Sequence, residues 1–325
     1  MFNISKSYVK LLGNALGYEY SNTNQLGQPH LVSGDYIEIQ CVYEWLTKIT
    51  VESGNPDLGL KAANNTHPAM LGTLGYAVMS CETLGEALER LVYYHSLISS
   101  ASFLKIEFEE GILKLEGFEI GYKAPRVFID SGASIFLALI KFLVPYNSIN
   151  LLGAEFVYSK PERLDVLTDV FGCNIRFSSD SNCLIFAREI YDFPLVTASS
   201  KLNSLHTELL KAELHKAYSG LVSIKVKHTI LQELSAGCIS SLKSTSKLLN
   251  VSSRSLQYAL RNEGETFTSI FEGARKELAR HLIRDTAYNF KYICATLGFC
   301  EKSSFHKSIL RWFGMTPQQY RDYIE

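Results

Sequence analysis

Apolar residues recur at helical spacing through most of the last third of the chain and in several blocks before it. In "QCVYEWLTKITVESG" and "LGEALERLVYYHSLIS" they fall three and four apart, which predicts two amphipathic helices. "SFLKIEFEEGILKLEGF" instead alternates through Leu104, Ile106 and Phe108 and then meets Glu110-Gly111, the pattern of two strands joined by a tight turn. "DSGASIFLALIKFLVPY" is apolar almost throughout, so a buried helix is expected. Pro145 should stop it, because proline lacks the amide proton that the next helical turn needs. Together these blocks predict a region of mixed α and β structure. Leu202 to Tyr218 then predicts a helical connector with Gly220 as its stop, and beyond Gly220 no segment alternates like a strand.

The C-terminal region repeats one pattern. In "LKSTSKLLNVSSRSLQYALRNEG", Leu242, Thr245, Leu248 and Leu249 share one face of a predicted helix, Asn250-Val251 make a turn, and Ser252 is positioned to cap the next helix. That helix turns Leu256, Ala259 and Leu260 inwards. Arg254, Gln257, Tyr258 and Arg261, at i, i+3, i+4 and i+7, form a polar stripe on the other side. The second copy starts with Phe290, Ile293, Cys294 and Leu297, breaks at Gly298, and continues with Phe305, Ile309, Trp312 and Phe313 opposite Ser303, His306 and Lys307. Each copy has the build of a helix-turn-helix unit, in which a supporting helix and a tight turn present a recognition helix to base edges. Between them "FTSIFEGARKELARHLIR" carries one apolar stripe through Phe267, Ile270, Phe271, Ala274, Leu278 and Leu282. This reads as a rod able to hold two recognition helices in neighbouring major-groove segments. Gly273 in its interior is expected to mark close packing, since glycine there otherwise weakens the helix.

Charge sharpens this picture. From Gly220 to Glu325 there are 15 Lys and Arg against 9 Asp and Glu, a surplus of six positive charges, whereas the whole chain carries −1 and the part before Gly220 therefore −7. The basic region suits an anionic partner such as a nucleic acid backbone. With 325 residues, 46% of them hydrophobic, the chain can bury two ordinary cores. The first twenty residues hold no apolar block suited to a signal peptide, and no later apolar run approaches the roughly 20 residues that span a bilayer. A cytoplasmic location without membrane contact is expected. The seven cysteines are scattered among apolar neighbours and read as reduced thiols.

Taken together, Leu242 to Arg321 resembles the DNA-binding domain of the AraC/XylS transcription regulators. The resemblance rests on "S-x-R-x-L-Q" at Ser252 to Gln257, "G-x-x-F" at Gly264 to Phe267, Arg275 and Ala279 on the linking helix, "LGF" at Leu297 to Phe299, and the closing "RWFGMTPQQYR". It implies DNA contacts from Ser253, Arg254, Gln257, Tyr258 and Arg261 in the first unit, and from Lys302, Ser303, Ser304, His306 and Lys307 in the second. It implies a structural ion-pair role for Arg275. Cys294, Ile309, Tyr258 and Lys307 depart from the usual family residues. Earlier, "GNPDLGLKAANNTHPAMLGTLGYAVMSCETLGEALERLVYYHSLIS" and "PERLDVLTDVFGCNIRFSSDSNCLIFAREIYDFPL" look like the arabinose-binding-domain type of sensor, found in a branch of the family that includes ornithine-responsive regulators.

The expected architecture is an α+β sensor domain over residues 1–200, in which helices come first, then a helical connector over 201–220. An all-α domain over 221–325 follows, with helix-turn-helix units at about 241–263 and 290–313 joined by a linking helix. The resemblance implies double-stranded operator DNA, a small-molecule effector, RNA polymerase and a second copy of the chain as partners, with activation as the mode of control. Enzyme readings lack support: there is no G-x-S-x-G elbow, no G-x-x-x-x-G-K-[ST] phosphate loop, and no Pro-Cys or Cys-His pair of the kind found in relatives fused to a repair methyltransferase. The eight histidines form no HExxH or close His/Cys cluster, so neither a metal nor a cofactor is expected. A different reading makes the N-terminal region a self-association or protein-contact module without an effector. A sensor requires an enclosed apolar pocket with a few inward polar groups, to which Tyr93, Tyr94, Phe103, Phe118, Phe136 and Phe142 could contribute. An interaction module requires a filled core and an exposed apolar patch.

Overall fold

The computed structural model describes residues 3–20, 35–119, 123–217, 222–235, 240–249, 251–284 and 288–323. Tyr218, Gly220, Cys238 and Asn250 lie outside the described residues. The chain divides into two compact units, Met1–Leu214 and His215–Glu325.

The first unit opens on a short strand ahead of any helix, so the expectation that helices come first is corrected. Strand β1 (Asn3–Ser5) leads into α1 (Lys6–Leu16) and pairs antiparallel with β2 (Tyr36–Glu38), which runs into α2 (Ile39–Ser53). Two 3-10 segments, Leu58–Asn65 and Pro68–Leu71, precede α3 (Thr73–Met79) and α4 (Leu84–Tyr93). The predicted hairpin follows as β3 (Ser102–Glu109) and β4 (Ile112–Glu119), with Gly111 at φ 74° in the turn, a conformation glycine adopts without steric cost. Then come α5 (Arg126–Leu143), β5 (Leu151–Glu155), α6 (Asp165–Phe171), β6 (Ile175–Arg176) and β7 (Asn182–Ala187). The five later strands form one sheet in the order β3-β4-β7-β5-β6, antiparallel except for the β5–β6 pair.

Helix α5 is the apolar block seen in the sequence, and it passes through the core. It starts at Arg126, directly after Pro125, whose fixed φ suits a helix start, and it ends two residues before Pro145. Its polar residues are buried too. Asp130 is fully enclosed, its Oδ1 accepting from the Tyr158 hydroxyl at 2.6 Å, and its Oδ2 lies 3.0 Å from Arg126 Nε without the alignment of a hydrogen bond. Arg126 also donates to Asp57 Oδ1 at 2.6 Å, which ties α5 to the segment before Leu58. Burial pushes the Asp130 carboxyl up to about 6, even though Tyr158 and Arg126 both favour its ionised form.

Helix α7 (Ser200–Ala217) begins in the first unit, and the division of the chain falls within it. Leu210 buries its side chain fully, Asn203 donates to Glu86 at 2.8 Å, and His206 Nδ1 lies 3.0 Å from Ser80 Oγ. The second unit is helical throughout its described residues: α8 (Val222–Ser235), α9 (Leu242–Leu248), α10 (Ser253–Asn262), α11 (Phe267–Arg284), α12 (Phe290–Thr296), α13 (Lys302–Phe313) and α14 (Pro317–Asp322). Helix α11 lies at its centre and packs against α8, α12, α13 and α14.

Candidate DNA-reading faces and effector cavity

In the first helix-turn-helix unit, short polar side chains set the geometry. Ser241 caps α9, accepting from Ser244 N at 3.1 Å while Ser244 Oγ accepts from Ser241 N at 2.9 Å. Thr245 is buried and its hydroxyl donates at 2.8 Å to Glu233 of α8, which also accepts from Ser240 at 2.7 Å. Ser246 is buried as well, whereas Leu248, expected on the inner face, is 44% exposed. The sequence pattern favoured leucine there because it counts apolar residues and cannot see a buried carboxylate that draws the hydroxyl face of α9 inwards. Ser252 caps α10, accepting from Ser255 N at 3.0 Å, and Leu256 and Leu260 anchor that helix in the core.

This arrangement leaves Arg254, Gln257, Tyr258 and Arg261 exposed along one stripe. Ser253 differs from them. It is half-buried and its hydroxyl lies 2.9 Å from Ser246 Oγ, so that oxygen closes the turn between α9 and α10. Glu263 at the end of α10 accepts from the amides of Val222 and Ser223 at 2.6 and 2.8 Å, which ties the end of α10 to the start of α8.

The second unit is tied together by arginines. Gly298, at φ 69°, turns the chain between α12 and α13. Arg275 on α11 is buried; its Nε donates to the Leu297 carbonyl at 2.9 Å and its guanidinium sits 3.5 Å from the centre of the Phe299 ring. The structural role expected for Arg275 therefore runs mainly through a backbone carbonyl and an aromatic face, with Glu272 farther away at 3.7 Å. Arg321 on α14 donates to the carbonyls of Ile283 and Tyr288 at 3.1 and 2.5 Å, a clamp that sequence reading did not identify beyond its place in the closing motif. Phe305 and Ile309 are fully buried, which leaves Lys302, Ser303, Ser304, His306 and Lys307 exposed on α13. Ser303 Oγ lies 3.1 Å from Glu301, inside the same stretch.

Gly273 contradicts its expected role. It is exposed, and a Cβ built on it would meet nothing within 4 Å, so no close packing selects glycine there.

The first unit holds a cavity of about 100 Å³ between the sheet and α5. Phe103, Leu115 and Leu184 line it from the sheet, and Phe128, Ile129 and Phe136 from α5. Of the six aromatic residues considered from the sequence, Phe103, Phe118 and Phe136 reach this cavity; Tyr94 is packed elsewhere in the core, and Tyr93 and Phe142 are partly exposed. Gly132 also lines it, and a Cβ there would meet nothing within 4 Å. The polar groups in the wall are few. His95 is only 8% exposed; its Nε2 lies 2.8 Å from Ser102 Oγ and its Nδ1 has no hydrogen-bond partner. Burial pushes the imidazole down to about 4 and the Glu119 carboxyl up to about 8. Glu119 accepts the Ala124 amide at 3.1 Å. Neither residue stood out in the sequence, because a lone His or Glu in an amphipathic stretch carries no spacing signal.

Cys81, Cys183 and Cys294 are buried, Cys41 and Cys173 half-buried, and Cys300 exposed, all as free thiols. No helix among the described residues is long and apolar enough to cross a membrane.

A helical unit with two helix-turn-helix units whose second helices expose polar faces, joined to an α+β unit with an apolar cavity, has the build of a DNA-binding regulator with a ligand-binding-type domain. The sequence family described as the arabinose-binding domain of AraC transcription regulator, N-terminal, matches residues 26–195, and the helix-turn-helix domain family matches residues 245–323. The chain belongs to the AraC-type transcription regulators with this N-terminal domain, and it is a DNA-binding regulator, not an enzyme. It is similar to the ornithine utilization regulator of Pseudomonas aeruginosa, 26% identical over 273 residues that span 83% of this chain and 79% of that one. The regulator VirS of Mycobacterium tuberculosis is 24% identical over 285 residues, 82% of this chain and 79% of VirS. Among solved structures, the regulator CdpR from Pseudomonas aeruginosa shares the fold over 98% of both chains, with a TM-score of 0.50 and 19% identity.

Proposed function

We propose that the chain is a transcription activator that reads its operator with two recognition helices and responds to a small molecule held in the cavity of its N-terminal domain. The observation that carries the DNA half is the exposure of Arg254, Gln257, Tyr258 and Arg261 on α10 and of Lys302, Ser303, Ser304, His306 and Lys307 on α13, while the opposite faces of both helices are buried. Arginine can pair bidentately with guanine and glutamine with adenine, whereas the lysines neutralise phosphates. Ser253 acts from beneath, as a turn-setting residue that supports the reading face. The first 200 residues act as sensor and pairing domain, 201–220 connect, and 221–325 read DNA. Two copies on a repeated site, contacting RNA polymerase, complete the proposed assembly.

The cavity supports the effector reading over a pure interaction module. An apolar space with an unpartnered imidazole nitrogen in its wall costs stability unless a ligand fills it. Gly132→Leu provides the test, since its side chain would occupy that space. The variant is expected to bind operator DNA in vitro but to lose effector-dependent transcription from a reporter promoter. Transcription that is unchanged by this variant, and constant across growth conditions, would favour the effector-free reading.

A further inference from the structure

The chemistry of the cavity wall restricts what can fill it, and this inference rests on the reading of the cavity as the effector site. Hydrocarbon makes up most of the wall, and among the described residues neither lysine nor arginine is part of it. Among these residues Glu119 is therefore an acid without a counterion. Its hydrogen bond from them comes from the Ala124 amide, and no basic side chain among them offsets the effect of burial, which pushes the carboxyl up to about 8. The other titratable groups of the wall bring no positive charge either: burial keeps the His95 imidazole neutral, and it raises the hydroxyl of Tyr8. Ser99, Ser102 and Asn182 supply neutral hydrogen-bonding groups. A carboxylate in such a wall is stabilised when a cation is brought to it, and a second carboxylate is repelled.

We propose that the cavity takes a small primary amine with a compact hydrocarbon body, its ammonium paired with Glu119 and its remaining N–H groups meeting the neutral polar atoms of the wall. The volume of about 100 Å³ is smaller than the roughly 150 Å³ of a cavity that admits benzene, so the body is limited to about five carbons. A free α-amino acid is excluded by the same logic, because its carboxylate would be buried without a cation.

Calorimetric titration of the full chain at neutral pH tests this with four compounds that share one branched body: 3-methylbutylamine, 3-methylbutan-1-ol, 4-methylpentanoate and leucine. The amine is expected to bind at least about tenfold more tightly than the alcohol, the scale of a charge-assisted hydrogen bond, with no measurable heat from the acid or leucine. In Glu119→Gln the amine should fall to the affinity of the alcohol, while the alcohol itself binds as before, which also reports that the variant is folded. Equal binding of amine and alcohol, or tighter binding of the acid or leucine, would overturn the amine assignment and leave the cavity standing as an effector site. Binding by none of the four would also overturn the amine assignment, while the reporter response of Gly132→Leu decides the effector reading separately. An amine affinity that survives Glu119→Gln unchanged would show that Glu119 does not receive the ammonium.

Discussion

Arg254 and Gln257 show how far a single exposed residue can be argued. Both lie on the outer face of α10, and Leu256 and Leu260 fix the rotation of that helix from within. Replacing either Arg254 or Gln257 with Ala is expected to weaken specific binding by about 1 to 3 kcal/mol, relax preference at one base pair, and leave thermal stability unchanged. Competition titrations against operator variants measure this directly. Gly273 supports a prediction of opposite sign. Because it is exposed on the long helix α11 with open space around it, Gly273→Ala should raise the stability of the second unit by about 1 kcal/mol, read as a higher denaturant midpoint at unchanged slope. The exposed stripe was legible in the sequence because it follows from helical period alone. The environment of Gly273 was not, since the same glycine serves close packing and open solvent equally well.

At the scale of elements, buried charges decide which helices stay together. Arg275 fastens α11 to the turn after α12 through the Leu297 carbonyl and the Phe299 ring. Arg275→Leu keeps the apolar bulk but leaves that carbonyl without this donor. It is expected to cost about 1.5 to 3 kcal/mol of stability in the second unit and to weaken DNA binding only through unfolding, which a melt monitored with and without operator DNA separates. In the first unit Arg126 stands between Asp57 and Asp130, both buried. Arg126→Met would strand two carboxylates, with an expected loss of about 3 to 5 kcal/mol in chemical denaturation. The helix around Arg126 was visible as an apolar run, and its stop near Pro145 followed from proline chemistry. The bond from Arg126 to Asp57 was not visible, because Asp57 lies 69 residues away along the chain.

For the whole molecule, the two titrating groups of the cavity give the stability of the first unit opposite slopes on the two sides of neutrality. His95 is held down from 6.5 to about 4, so the unfolded chain takes up its proton first; this contribution is complete above 6.5 and fades as pH falls toward 4. Glu119 is raised from 4.5 to about 8, so the folded chain keeps its proton longer; that contribution is complete below 4.5 and fades as pH climbs through 8. Thermal melts across this range should show His95→Asn with a shallower loss on the acid side and Glu119→Gln with a shallower loss on the alkaline side. Parallel curves for variant and parent would contradict the burial of these groups. The sequence by itself determined the division into an acidic α+β region and a basic helical one, the β3–β4 hairpin, the two helix-turn-helix units and their outward stripes, because period, turn residues and charge are local properties. Only the tertiary structure decided that α9 turns Ser246 inwards in place of Leu248, that Arg275 and Arg321 clamp backbone carbonyls, and that His95 and Glu119 share the wall of one cavity. These depend on which distant groups meet, and a buried polar atom takes its role from the partner that the fold brings to it.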